Sequence, residues 1–289
     1  MASNVVGGRL VDIGDTQLHV DEKGAGFPLL IFHGGPGLDH HMFGDYLDPL
    51  ADDFRLVFVD QRSQGWSARA PESTWSLGRM AADVNSLARA LNLGEYATLG
   101  HSFGAFVVLQ HAVEYPGQAA RTIVSSGLPS SRYLSHVQEN LAAFEPANLR
   151  NQVTASWERE KEAQTHDDVA SLLRDQLPFQ FGDPLDPRIR EYERRTSGAR
   201  FSPDVLRRFA ADETYGGIEV EDRLPSVRQP VLVLAGRMDR TCVVEGAQAI
   251  ARGIPGARLV VFEHSGHMTF VEENEAYLKA VRGFLPPPG

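Results

Sequence analysis

The chain has little cysteine, no run apolar enough to cross a membrane and no cluster of positive charge. Its one cysteine, Cys242, excludes an internal disulfide, and nothing beside it marks a nucleophile, so it reads as a plain loop thiol. Met1 to Asp12 lack the apolar stretch of a signal peptide, which sets the expectation of a cytoplasmic protein without a membrane partner. Lys and Arg number 28 against 38 Asp and Glu, a net charge of −10 with no basic stripe. Phosphate binding demands clustered cations, so nucleic acid is not an expected partner. Asp39, His40 and His41 are neighbours, but no partner recurs at ligand spacing. They read as a polar loop near the mouth of a site, and neither metal nor cofactor is expected. There is no internal repeat and no low-complexity linker. What is present is ordinary for a soluble enzyme: 289 residues, 42% hydrophobic and 23% charged. A chain of this length buries roughly 75% of its extended surface and needs no staples.

Residues 9–20 read as a hairpin about Gly14-Asp15. From Pro28 onward apolar runs at 28–32, 55–60, 96–100 and 121–125 alternate with helical stretches at about 77–92 and 103–114. That alternation argues a mostly parallel sheet with right-handed crossovers, an α/β fold. After Ser126-Gly127 the pattern changes. Residues about 130–222 carry helical spacing, as in Ser135 to Phe144 and Val205 to Ala211, broken by Pro178, Pro184, Pro187 and Pro203. Strand-like runs resume at 230–235 and 258–262. The division expected is a core of residues 1–127 and 227–289 with a helical cap at 128–226, inserted at the edge that carries the site.

The chemistry centres on Gly100-His101-Ser102-Phe103-Gly104, between a short apolar strand and a helix. A serine on such a turn projects its hydroxyl above the sheet, and the glycines leave room for neighbouring backbone. The helix that follows points free N–H groups and a positive dipole end at the same spot. The hydroxyl needs a base, and the base an orienting acid, in the chain order Ser, Asp or Glu, His. Asp239 follows the strand 230–235, and His267 follows the strand 258–262. In a parallel sheet both lie at the edge where Ser102 lies. His264 comes straight off its strand, Asp60 precedes the serine, and His101 points away on a tight turn, so His267 and Asp239 are preferred. Upstream, His33-Gly34-Gly35-Pro36-Gly37 closes an apolar run. One N–H of this turn, with that of Phe103, would make an oxyanion hole.

These residues resemble the α/β-hydrolase superfamily and, more narrowly, its proline iminopeptidase branch. The match lies in His33 to Gly37, Asp60-Gln61-Arg62 and Gly100 to Gly104, with the Asp239 and His267 contexts. The resemblance implies Ser102 as nucleophile, Asp239 as acid and His267 as base, with Gly35 and Phe103 as oxyanion donors and Gly34 beside the substrate. There are departures. Ser63 stands where the branch has the glycine after Asp-Gln-Arg. Iminopeptidases hold the substrate ammonium with glutamates. One of these resembles Glu213, and Trp157-Glu158 is similar to a Trp-Glu pair of bacterial members. The position after the triad aspartate, a glutamate in some members, is Arg240, whose cation would repel an ammonium. The resulting expectation is a serine hydrolase working through an acyl-enzyme on a small-molecule or short-peptide substrate. An iminopeptidase-like aminopeptidase comes first and an esterase or lactonase on a small neutral ester, favoured by Arg240, second, with Gly34, Glu213 and Arg240 as candidate substrate contacts. A non-catalytic ligand-binding protein on the same fold is the alternative of another class. Oligomeric state is left open.

Overall fold

The β-branched and apolar runs become strands, and the stretches with helical spacing become the helices that cover them. A computed structural model describes residues 7–211 and 214–287. The strands are β1 (Arg9–Asp12), β2 (Gln17–Lys23), β3 (Phe27–Phe32), β4 (Phe54–Val59), β5 (Ala97–His101), β6 (Arg121–Ser125), β7 (Val231–Gly236) and β8 (Arg258–Phe262). They form one sheet in the order β1-β2-β4-β3-β5-β6-β7-β8. The β1–β2 hairpin and the β2–β4 pair are antiparallel, and all pairs from β4 through β3 to β8 are parallel. The α/β-hydrolase fold expected from the sequence is therefore present. Glycine and aspartate turn the hairpin, with Ile13 N–H donating to Thr16 O at 3.0 Å.

Alternate side chains of each parallel strand enter opposite cores, because successive residues point to opposite faces. Leu30 and Phe32 of β3 pack into one core, with α1 (Leu77–Ala90), α2 (Phe103–Glu114) and α8 (Val244–Gly253). Leu29 and Ile31 join the other, with α10 (Asn274–Phe284). Burial on both faces explains why these runs are continuously apolar rather than alternating.

Between β6 and β7 run α3 (Ser135–Ala142), α4 (Ala147–Arg159), α5 (His166–Gln180), α6 (Arg188–Arg195) and α7 (Pro203–Ala210), and the short α9 (Thr269–Glu272) precedes α10. The ends of this helical segment meet, with Ser131 N–H donating to Ile218 O at 2.8 Å and Val220 N–H to Pro129 O at 2.9 Å. The prolines punctuate it, with one exception. Pro187 precedes α6 and Pro203 opens α7, where a missing N–H costs nothing. Pro178, read from the sequence as a breaker, lies inside α5, and the helix ends within a turn of it. Phe144 and Phe179 pack edge to face at 5.1 Å in a small core with Leu141 and Val153.

Candidate active site

The turn from β5 into α2 holds Ser102 at φ 56°, ψ −119°, a conformation that side chains rarely adopt. Its N–H donates to Ser125 O at 2.9 Å, so the neighbouring strand fixes the strained residue. A Cβ on Gly100 would overlap the Gly104 carbonyl, and one on Gly104 would overlap the Phe32 carbonyl, so the turn tolerates only glycine on either side. From above, the loop after β3 comes so close that a Cβ on Gly34 would sit 3.1 Å from Ser102 Cβ.

Asp239 and His267 meet. His267 Nδ1 lies 2.8 Å from Asp239 Oδ2, and both residues are buried. The other carboxylate oxygen accepts the N–H groups of Thr241 and Cys242, each at 2.8 Å. The carboxylate is thus an acceptor on every side, and Nδ1 carries the proton that it shares with Asp239. That leaves Nε2 as the basic nitrogen. His267 and Ser102 line the same cavity, though no hydrogen bond joins their side chains in this structure. Apo sites commonly leave this bond unformed until substrate binds.

The rival residues are otherwise engaged. His264 is exposed, and its N–H donates to Glu273. Asp60 accepts the N–H groups of His40 and Trp66 at 2.9 Å each, and lies 2.7 Å from His40 Nδ1. Burial would raise its carboxyl, but the His19 and His40 imidazoles beside it prevail and hold it well below the usual range. His101 is fully buried, its ring 4.9 Å from that of His267. Burial, and next the His267 charge, push it far below its ordinary value, so it stays neutral.

The Asp60-Gln61-Arg62 turn supports the loop above Ser102. Gln61 N–H donates to His33 Nε2 at 3.1 Å, its side-chain amide donates to His33 O at 2.7 Å, and His33 Nδ1 lies 2.7 Å from Gly34 O. Arg62 is buried between Asp83 and Asp15. Ser63 takes φ 63°, which suits the glycine it replaces, and its Oγ accepts from Ala70 N–H and Trp75 Nε1, both at 2.9 Å. Among the described residues the Gly35 and Phe103 N–H groups have no protein acceptor, whereas that of Gly34 donates to Met42 Sδ at 2.8 Å.

A cavity of about 1170 Å³ opens on Ser102 and His267, walled on its far side by α3 to α7. Glu213 lies outside the described residues. Glu158 is exposed at the cavity edge. Arg240 is not at the cavity: its guanidinium donates to the carbonyls of Phe179 at 3.2 Å, Phe181 at 2.6 Å and Gly182 at 2.9 Å, at the end of α5. The cation expected to repel an ammonium is therefore occupied with backbone. A carboxylate not singled out in the sequence does face the cavity. Glu160 is buried, accepting from Gln176 Nε2 at 2.7 Å and Tyr215 OH at 2.6 Å. Burial raises its carboxyl above the ordinary value, and the two hydrogen bonds oppose that only in part. Nothing in sequence separates it from its neighbours Glu158 and Glu162.

His19, His40 and Asp60, and likewise Asp39, His40 and His41, bring donor atoms close enough to share an ion. Most of these atoms already serve one another. His41 Nδ1 lies 2.9 Å from Asp39 Oδ2, and Asp60 is saturated as described above. The clusters fit internal hydrogen bonding better than a metal.

A model of the alpha/beta hydrolase fold family matches residues 28–274. A proline iminopeptidase of Clostridium botulinum is 27% identical over 270 residues, covering 89% of each chain. The structure superimposes on an alpha/beta fold family hydrolase of Bacillus anthracis with TM-score 0.81 and 21% identity, over 96% of this chain and 99% of that one. A proline iminopeptidase of Mycobacterium smegmatis gives TM-score 0.70 and 26% identity, over 95% and 96%.

Proposed function

The chain belongs to the alpha/beta hydrolase family, and on that premise we propose that it is a Ser-His-Asp hydrolase that releases N-terminal residues from small peptides. The observation that carries the reading is the buried Asp239–His267 pair at 2.8 Å, opening on the cavity that also receives Ser102. In this reading the Ser102 hydroxyl donates to His267 Nε2 when substrate is bound. The imidazole then takes the proton as Ser102 attacks the scissile carbonyl, and returns it to the leaving amine. Asp239 holds the Nδ1–H tautomer and stabilises the imidazolium. The oxyanion is received by the N–H groups of Gly35 and Phe103, which no acceptor among the described residues claims. Each such donor is typically worth about 3 kcal/mol in the transition state. Water then attacks the acyl-enzyme with His267 as base. Residues 128–226 act as a cap that walls the site and excludes bulk water.

The peptidase reading has support in the cap. Glu160 offers a buried carboxylate to a substrate ammonium, and the curated relative reported above carries the iminopeptidase name. Arg240 no longer argues for a neutral ester, because its charge is held away from the cavity. The test is to offer prolyl and other aminoacyl arylamides beside short-chain p-nitrophenyl esters and acyl lactones, with Ser102→Ala as control. Arylamide turnover that vanishes in the control supports the proposal. Ester turnover without arylamide turnover ends the peptidase reading and leaves the hydrolase one.

A further inference from the structure

The loop that carries His267 is attached to the segment leaving α5, and one side chain makes most of that attachment. Glu272, at the end of α9, is buried, and its two carboxylate oxygens diverge. Oε1 accepts the N–H of Gly182, just after α5, at 2.8 Å. Oε2 accepts the N–H of Gly266, immediately before His267, at 2.8 Å. The backbone adds a third tie, with His267 N–H donating to Gln180 O at 2.6 Å. Arg240, next to Asp239, grips the carbonyls of Phe179, Phe181 and Gly182 from the other side. Residues 179–182 are therefore fastened to both loops that present the acid–base pair.

We propose that Glu272 is a positioning residue for His267: its carboxylate bridges the end of α5 to the catalytic loop and fixes where the imidazole stands relative to Ser102. The inference rests on the reading of His267 as the base. Both bonded groups are donors and each oxygen accepts one of them, which the ionised carboxylate does best. Burial pushes the Glu272 carboxyl up to about 7, and the two backbone N–H groups offset that only partly. Arg188, whose guanidinium donates to the Glu272 carbonyl, sits beside it with its own partner Asp186. The assignment also gives the helical segment a part in the chemistry beyond walling the cavity. Movement of the α5 end is passed to His267 through these hydrogen bonds as well as through the apolar contact of Phe181 with the segment after His267.

Glu272→Gln tests this with shape retained, because the amide keeps one acceptor and turns a donor toward the other N–H. The readouts are kcat and KM on p-nitrophenyl acetate, the rate at which a fluorophosphonate probe labels Ser102, and the downfield proton resonance of His267 Nδ1–H. The expectation is a loss of about tenfold in kcat and in labelling rate, with KM within about twofold, as for a sub-ångström misplacement of a catalytic group. The Nδ1 proton resonance should shift or broaden. Wild-type kcat with an unmoved resonance overturns the proposal, and so does a raised KM at constant kcat. Should the variant not fold, amide exchange in the wild type decides. Gly182 and Gly266 N–H groups that open together support the bridge, and independent opening removes it. Ser102→Ala and His267→Ala run alongside. If they stay active the hydrolase reading itself fails, whereas a normal Glu272→Gln in an enzyme that needs both residues sinks only the bridge.

Discussion

Asp239→Asn should cost this enzyme about four orders of magnitude, and the reason lies in the two oxygens of the carboxylate. Oδ1 accepts two backbone N–H groups, from Thr241 and Cys242, at 2.8 Å each. An asparagine can satisfy them only with its carbonyl oxygen, so its NH₂ must take the place of Oδ2. That place is 2.8 Å from His267 Nδ1. Facing a donor, the imidazole must accept at Nδ1 and carry its proton on Nε2, the wrong tautomer for a base beside Ser102. In serine hydrolases this tautomer trap is worth a factor of about 10⁴, or roughly 5.5 kcal/mol of barrier. Little stability should go with it, because every other hydrogen bond of the residue is kept. The assay is kcat/KM on p-nitrophenyl acetate for Asp239→Asn beside the wild type, with a thermal melt of each. A loss below about tenfold, in a variant that melts normally, would refute the assignment of Asp239 as the orienting acid.

Other substitutions probe separate parts. Gly34→Ala places a methyl 3.1 Å from Ser102 Cβ and 3.3 Å from Met42 Sδ, and should lower kcat about 10- to 100-fold while the melting temperature moves little. A silent Gly34→Ala would mean that the loop does not crowd the nucleophile. Gly100→Ala meets backbone rather than a yielding side chain, so it should destabilise by roughly 3 kcal/mol or more in urea unfolding, and a smaller cost would contradict the packing at the turn. Glu160→Gln should raise KM for an aminoacyl arylamide about tenfold or more and leave a neutral ester unchanged; equal effects on both remove Glu160 from the anchor role. The Glu272 carboxyl, raised to about 7, contributes stability that is full below its unfolded value and lost as pH rises through the folded one, roughly 3 kcal/mol in all. Melts between about pH 5 and about pH 8 should therefore show the wild type gaining on Glu272→Gln with acid, and a constant gap would deny the shift.

Much of the architecture is legible in the sequence because the parallel strands are buried on both faces, so their apolar runs are unbroken. The elbow is legible too. Gly100 is dictated by the Gly104 carbonyl of the same turn, a local constraint that leaves a local signature, while Gly104 is dictated by the Phe32 carbonyl of the neighbouring strand. What the sequence hides is contact between distant segments. Arg240 reads as a cation beside the site, yet its guanidinium is committed to three carbonyls some sixty residues upstream. Glu160 and Glu162 flank one lysine and are alike in sequence, and only the packing of α5 and α7 buries the first of them. Glu272 likewise follows no motif that reveals its two acceptors. Pro178 misleads for a different reason: it removes one N–H donor of α5, yet the helix still closes its last turn, with Phe181 N–H donating to Leu177 O at 3.2 Å.

Intact-mass and peptide-mass measurement after reaction with a fluorophosphonate probe tests most directly whether Ser102 is the activated nucleophile. One covalent adduct should form, on the peptide containing residue 102, and it should disappear in Ser102→Ala and slow by orders of magnitude in His267→Ala. An adduct on any other residue, or labelling that persists without the imidazole at full rate, would contradict the account.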